Sequence, residues 1–115
     1  MAGGVKRGEI WVYAFARPDK QRPVVVLTRQ EVIDLLNTVM VEPVTSRIRG
    51  APSEVIVGAE EGLKHDSAVN LDHMQTVKTA RLSRRIGHLS PQKMSSVCHA
   101  LAIATGCREG SEPDD

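Results

Sequence analysis

Lys78, Arg81, Arg84 and Arg85 fall within eight residues with no acidic side chain between them. Such a run can track the phosphates of a polyanion and make binding depend on salt. It can equally be a solvated turn and edge strand whose charges discourage sheet-to-sheet aggregation. Ten of the fifteen basic residues are arginine, the side chain whose planar fork donates paired hydrogen bonds to phosphate oxygens and stays charged. The net charge of +1 conceals an asymmetry, because residues 1 to 107 carry 14 basic and 10 acidic side chains while the tail holds one and four. The body is therefore basic, and the composition leans toward a polyanionic partner.

Other reactive side chains are sparse. His65, His73, His88 and His99 form no zinc-site spacing with each other or with Cys98 and Cys107, so neither a metal nor another cofactor is expected. The two cysteines are nine residues apart in a segment read as helix, which separates them by roughly 13 Å at 1.5 Å per residue, too far for a disulfide. They are read as reduced thiols. Trp11, Tyr13 and Phe15, the only aromatic residues, alternate along one run and should share one face of a strand. They could stack bases, but a small sheet needs large side chains for its core, and core or dimer packing is the simpler role.

The elements that must position these groups follow from periodicity and punctuation. Glu9 to Ala16 reads as a strand, Arg17 to Gln21 as a polar turn and Arg22 to Leu27 as a second strand with Pro23 near its start. Thr28 and Glu31 have the spacing of a capping box, followed by Val32, Ile33, Leu35 and Leu36 as the stripe of a two-turn helix closed by Asn37. Thr38 to Ser46 is a third strand, bent or edged at Pro43. Ser53 to Val57 is a fourth. Ser67 to Lys78 contains a longer fifth, with Val69, Leu71, His73, Gln75 and Val77 on one parity unless a bulge intervenes. Arg84 to Leu89 is a short sixth. Ser90 and Pro91 start a C-terminal helix, with Met94, Val97, Cys98 and Leu101 at helical spacing and Gly106 as its stop.

At 115 residues, 41% of them hydrophobic, the chain suffices for one core and not two. Residues 1–107 are expected to form a single domain and the acidic residues 108–115 a disordered tail. No apolar run approaches the ~20 residues of a membrane span, and Met1 to Arg7 lacks the apolar segment of a secretory signal, so a cytoplasmic protein is expected. Six short strands and a C-terminal helix suggest a mainly β, α+β fold built on a small curled sheet or barrel.

Four motifs then occur in order over about residues 6 to 106: Arg7-Gly8-Glu9-Ile10-Trp11-Val12, Arg22-Pro23-Val24-Val25-Val26-Leu27, Val44-Thr45-Ser46 and Gly87-His88-Leu89-Ser90. Each alone is weak; together they resemble the MazF/PemK family of toxin–antitoxin endoribonucleases. The resemblance implies an SH3-like barrel of the plasmid-maintenance toxin type with a C-terminal helix. It also implies a homodimer that binds single-stranded RNA across its interface, and a cognate antitoxin that blocks the site. The implied activity is metal-independent, sequence-selective cleavage by the RNA's own 2′-hydroxyl, leaving cyclic or 3′-phosphate and 5′-hydroxyl ends. The family's catalytic pair, an arginine beginning the second strand and a threonine ending the third, maps to Arg22 and Thr45.

That chemistry suits these residue types. An enzyme acting on RNA must align the 2′-hydroxyl, take its proton, stabilise the charged phosphorane and protonate the leaving oxygen. Arg22 can stabilise charge but is a poor base, and Thr45 can orient a phosphate or hydroxyl. Ser46 and Arg47 are candidate phosphate or sugar contacts, and Lys78 and Arg81 candidate contacts to the RNA backbone. Leu71 to Thr76 resembles a stretch that reads E-Q-I-R-T in many relatives, with His73 in place of Gln and Gln75 in place of Arg. His73 is therefore a candidate for RNA contact or proton transfer, set against a purely structural histidine. A further departure is the short turn between the first two strands, which puts sequence preference and antitoxin geometry in doubt. Two rival readings stay open: a related-fold toxin that binds a protein such as gyrase, disfavoured by the polar end Glu109 to Asp115, and a catalytically inert RNA-binding barrel.

Overall fold

In a computed structural model, which describes residues 4–14 and 21–107, seven strands and two α-helices follow one another around a single highly curled sheet. The strands are β1 (Glu9–Ala14), β2 (Gln21–Val26), β3 (Thr38–Thr45), β4 (Glu54–Val57), β5 (Ser67–Asn70), β6 (Gln75–Lys78) and β7 (Leu82–His88); the helices are α1 (Gln30–Ile33) and α2 (Pro91–Ala104). The hydrogen-bonded order is β4-β5-β3-β2-β1-β7, with β6 also on β3. All pairings are antiparallel. The ladder leaves β4 and β7 as its ends, so the sheet is open and curled, and the expected barrel does not close among the described residues.

Curling follows from the valine run of β2, where both sheet faces must be covered. Val25 and Leu27 join Ile10, Val44, Val69 and Leu71 in a cluster capped by Val97 and Ala100 of α2. Val24 and Val26 point the other way, into a second cluster with Tyr13, Val39, Val41, Val77 and Leu82. Alternation along a pleated strand thus sends successive valines into two cores. Trp11 packs on the second cluster beside Tyr13, as the shared aromatic face requires; Phe15, the first turn at 15–20 and the acidic tail lie outside the described residues.

β3 is the organising strand. β2 pairs with its Val41–Pro43 segment, while β6 and β5 take its beginning and end along the other edge. Between Val41↔Gln75 and Val44↔Val69, Glu42 and Pro43 face residues 70–74, two positions against five. Pro43 brings no N–H to a ladder, and Leu71–His73 loops out as a 3-10 turn. The long fifth strand is therefore two strands flanking a bulge. Leu71 and Val77 stay buried, but His73 and Gln75 are exposed.

Two further expectations need correction. Thr28 does not cap a helix: its Oγ1 accepts the backbone amide of Met40 at 2.7 Å, tying the end of β2 to β3. Arg29 takes the N-cap position without a side-chain bond, and α1 is a single four-residue turn that buries only Ile33. Leu35 and Leu36 consequently lie 77% and 51% exposed instead of forming a buried stripe. The last strand starts at Leu82, earlier than expected, after a 3-10 turn at Thr79–Arg81. The C-terminal helix follows its signals: Ser90 Oγ accepts the Lys93 amide at 3.1 Å, Pro91 opens the first turn, and Gly106 takes φ 77° just past the end. No helix among the described residues is long and apolar enough to cross a membrane.

Candidate active site

Arg22 stands near the start of β2 opposite Tyr13, and Thr45 ends β3 where its ladder passes to β5. The Thr45 hydroxyl oxygen accepts the backbone amide of Arg47 at 3.1 Å, which turns the chain out of the strand. The loop that follows is held by one carboxylate: Glu54 accepts the amides of Arg49 at 3.1 Å and Gly50 at 2.8 Å. Across the bulge, Asn70 Oδ1 accepts the Asp72 amide at 3.0 Å, and Ser53 Oγ donates to Asp72 Oδ2 at 2.7 Å. These bonds fix the turn that carries His73. Gln75 is set beyond it by its pairing with Val41.

The space opened by the bulge is a cavity of about 270 Å³. Arg22, Arg47 and Arg49 bring three guanidinium groups to it, with Thr45, His73 and Gln75 around them and Pro43 and Asn70 completing the lining. No carboxylate among the described residues lines it. Such a wall favours an anion with several oxygens, as a phosphodiester is. A second cavity of about 430 Å³ adjoins it and shares Arg22 and Thr45; it is lined by Ser46 and, from β7, Arg84 and Ile86. A broader groove of about 870 Å³ between β4 and α2 carries Glu54 and Glu60 against Lys93 and has none of the arginine clustering.

Five of the residues singled out in the sequence, Arg22, Thr45, Arg47, His73 and Gln75, meet at the first cavity, and Ser46 lines the second. Lys78 and Arg81 reach neither. Lys78 pairs with Thr38 at the far end of β3. Arg81 lies over the Tyr13 ring at 5.7 Å and donates to the Ala14 carbonyl at 3.3 Å. The basic run disperses further, since Arg85 sits 3.7 Å from Glu9 while Arg84 turns to the second cavity. Arg49 and Asn70 were missed in the sequence. The first is visible only as an Arg-x-Arg pair after Thr45, and the second as an Asn two residues before an Asp it caps. Among the described residues, no three His, Cys, Asp or Glu side chains are grouped to hold a metal ion.

Glu42 is the site's unusual neighbour. It lies on β3 beside Pro43 but on the opposite face, fully buried, with neither carboxyl oxygen in a well-formed hydrogen bond. Burial, with a smaller push from the Asp72 carboxylate, raises its pKa to about 8. The His73 backbone amide draws it the other way without being placed for a good bond. Near neutrality Glu42 is mostly a neutral acid under the turn that presents His73.

The chain's likeness to known proteins is extensive. The family described as PemK-like, MazF-like toxin of type II toxin-antitoxin system matches residues 6–105. A probable endoribonuclease MazF5 of Mycobacterium tuberculosis is 40% identical over 102 residues, 88% of this chain and 93% of that protein. The endoribonuclease MazF3 of the same organism is 39% identical over 89 residues, 77% of this chain and 86% of its own. Among solved structures, the Mycobacterium tuberculosis toxin MazF-mt6 superposes with a TM-score of 0.79 at 36% identity, over 85% of this chain and 96% of that one. A mycobacterial endoribonuclease solved with its cognate antitoxin shares the fold, with a TM-score of 0.80 at 22% identity over 90% of this chain and 96% of that one.

Proposed function

The chain belongs to the PemK-like, MazF-like toxin family of type II toxin–antitoxin systems, and from that premise we propose that it is an endoribonuclease that cuts single-stranded RNA. The observation that carries the reading is the meeting of Arg22 and Thr45, from different strands, in one cavity with Arg47 and Arg49. Relatives named as endoribonucleases at 39 to 40% identity over most of the chain support it.

In this reading the scissile phosphate lies against Arg22 and Thr45. The RNA 2′-oxygen attacks phosphorus, the bond to the 5′-oxygen breaks, and the products are a 2′,3′-cyclic phosphate and a 5′-hydroxyl. Arg22 neutralises the charge that builds on the phosphorane oxygens, a job that needs strength in the transition state and not proton exchange. Thr45 accepts the Arg47 amide, which leaves its own proton to donate to a phosphate oxygen. Arg47 and Arg49 hold the neighbouring phosphates. His73, the imidazole lining the cavity, takes the 2′-hydroxyl proton as general base, and a water molecule protonates the departing 5′-oxygen. The protein acts in the cytoplasm as a homodimer and is silenced by an antitoxin that covers this site.

The test is incubation of purified protein with single-stranded RNA in excess chelator, followed by chemical analysis of the ends. Cyclic or 3′-phosphate ends with 5′-hydroxyls, lost in Arg22→Ala and Thr45→Ala, are expected. Undiminished RNA binding with no cutting would instead identify an inert RNA-binding protein, and full activity in both variants would overturn the catalytic pair.

A further inference from the structure

Arg22 and Thr45 form a shared wall between two cavities that differ in character. A phosphodiester bound there has a nucleoside on each side, and the two cavities offer those nucleosides separate places to lie. On one side stand Arg47 and Arg49, suited to further phosphates. The other side has apolar surface from Pro23, Val44, Leu63 and Ile86, with Ser46 and His65 among its polar groups and Lys64 and Arg84 as its further cations. Its volume of about 430 Å³ lies within the range of about 300 to 1,000 Å³ usual for small-ligand clefts. Apolar walls with a few fixed polar groups are what an unstacked base requires, since its faces want contact and its edge wants hydrogen bonds.

We propose that this second cleft, between β7 and the 62–65 loop, is a nucleobase-binding subsite that selects one nucleotide next to the scissile phosphate. The inference rests on the endoribonuclease reading and adds a specificity determinant to it. His65 offers the base an imidazole to stack on or bond to, and Ser46 a hydroxyl for its edge.

The cleft's outer wall is built to hold its shape. Glu61 Oε1 accepts the Gly58 amide at 2.6 Å, and the Leu63 amide returns to the Gly58 carbonyl at 3.1 Å. Ser67 Oγ donates to the His65 carbonyl at 3.0 Å, which secures the other end. The loop then presses directly on β7. A Cβ on Gly62 would lie 2.7 Å from the Ile86 carbonyl oxygen, and one on Gly87 only 2.1 Å from that of Glu61. A wall preorganised in this way discriminates among bases without first having to order itself.

The experiment is cleavage of a pool of single-stranded RNA with randomised sequence, read by sequencing the new ends. Wild type, His65→Ala and Leu63→Trp are compared. His65 is exposed, so its variant folds, and the tryptophan fills the cleft. The proposal expects a preference at one position adjoining the cut that flattens at least tenfold in His65→Ala and shifts in Leu63→Trp, while preferences elsewhere in the motif persist. Unchanged preference at every position in both variants would overturn the subsite and leave the cleavage reading intact. Wild-type protein that leaves the pool uncut would overturn both. As a second readout, 2-aminopurine placed at that position in an RNA blocked by a 2′-deoxy at the cut should gain fluorescence as it unstacks on binding wild type. An equal gain in Leu63→Trp, whose indole fills the cleft, would overturn the subsite.

Discussion

The hydroxyl oxygen of Thr45 accepts the backbone amide of Arg47 at 3.1 Å, so one side chain both turns the chain out of β3 and lines the arginine-rich cavity. Removal of a donor that acts on developing charge typically costs about 100- to 1,000-fold in kcat. Thr45→Ala should fall in that range with a much smaller change in KM. Thr45→Ser keeps the hydroxyl and should recover most of the rate. A serine variant as slow as the alanine one, in single-turnover assays, would show that the methyl group and not the hydroxyl matters.

For Arg47 and Arg49, which line the same cavity, the proposed role is contact to neighbouring phosphates. Each phosphate contact to a single strand adds about 0.7 to the slope of log affinity against log salt. Arg47→Ala and Arg49→Ala should each weaken binding of a non-cleavable RNA and flatten that slope by about this amount, roughly alike for all sequences. Titration at several salt concentrations checks it, and an unchanged slope in both variants would remove them from the RNA path.

Gly87 has no space for a side chain because the Glu61 carbonyl oxygen would sit 2.1 Å from its Cβ, whereas nothing lies within 4 Å of a Cβ at Gly4. Gly87→Ala must force the loop off β7 and should cost about 3 kcal/mol, at the upper end for an overpacked site. Gly4→Ala should be close to neutral. Urea denaturation of both variants measures the contrast, and equal stabilities would mean that the loop yields without penalty.

Much of this architecture was legible in the sequence, for identifiable reasons. The terminal helix was readable because Ser90, Pro91 and Gly106 act through local backbone geometry alone. β3 was readable from its β-branched residues, and Pro43 correctly marked its irregularity. Local reading failed where a tertiary partner took the group. Thr28 looks like a cap until the Met40 amide claims its hydroxyl, and the 67–78 run looks continuous until its partner strand proves to have two residues for its five. Arg22 and Thr45 came from family resemblance; position in a chain could not show that they share a cavity. Lys78 and Arg81 illustrate the converse, since charges adjacent in sequence spread over a curled sheet.

Ser53 links stability to the site. Its hydroxyl donates to Asp72 at 2.7 Å beneath the turn that presents His73. Ser53→Ala leaves that carboxylate one bond short, at a cost of about 1 to 3 kcal/mol. If His73 meets RNA, KM should rise severalfold as the turn loosens, with kcat changed less. A variant that loses stability while KM is unaltered would make Asp72 a structural residue and detach His73 from the substrate.

Glu42 makes stability itself depend on pH. Its folded-state pKa of about 8 lies above the ordinary value of 4.5, so between these limits the folded protein holds a proton that the unfolded chain has released. By linkage, stability declines as pH rises from 4.5 toward 8 and levels off above it. The sign is opposite to that of a salt-bridged carboxylate. At about 1.36 kcal/mol per unit, the contribution cannot exceed about 5 kcal/mol, and relaxation of the surroundings will reduce it. Glu42→Gln keeps the shape without the titration. Its stability relative to wild type should therefore rise by a few kcal/mol between pH 5 and pH 8.5 in urea titrations. A constant difference across that range would mean that Glu42 does not change its protonation on unfolding. The candidate site adds a second consequence, because ionising this acid beside Asp72 places two negative charges under the turn carrying His73. RNA cleavage by wild type should then lose efficiency above pH 8 through KM, and Glu42→Gln should abolish that limb of the profile.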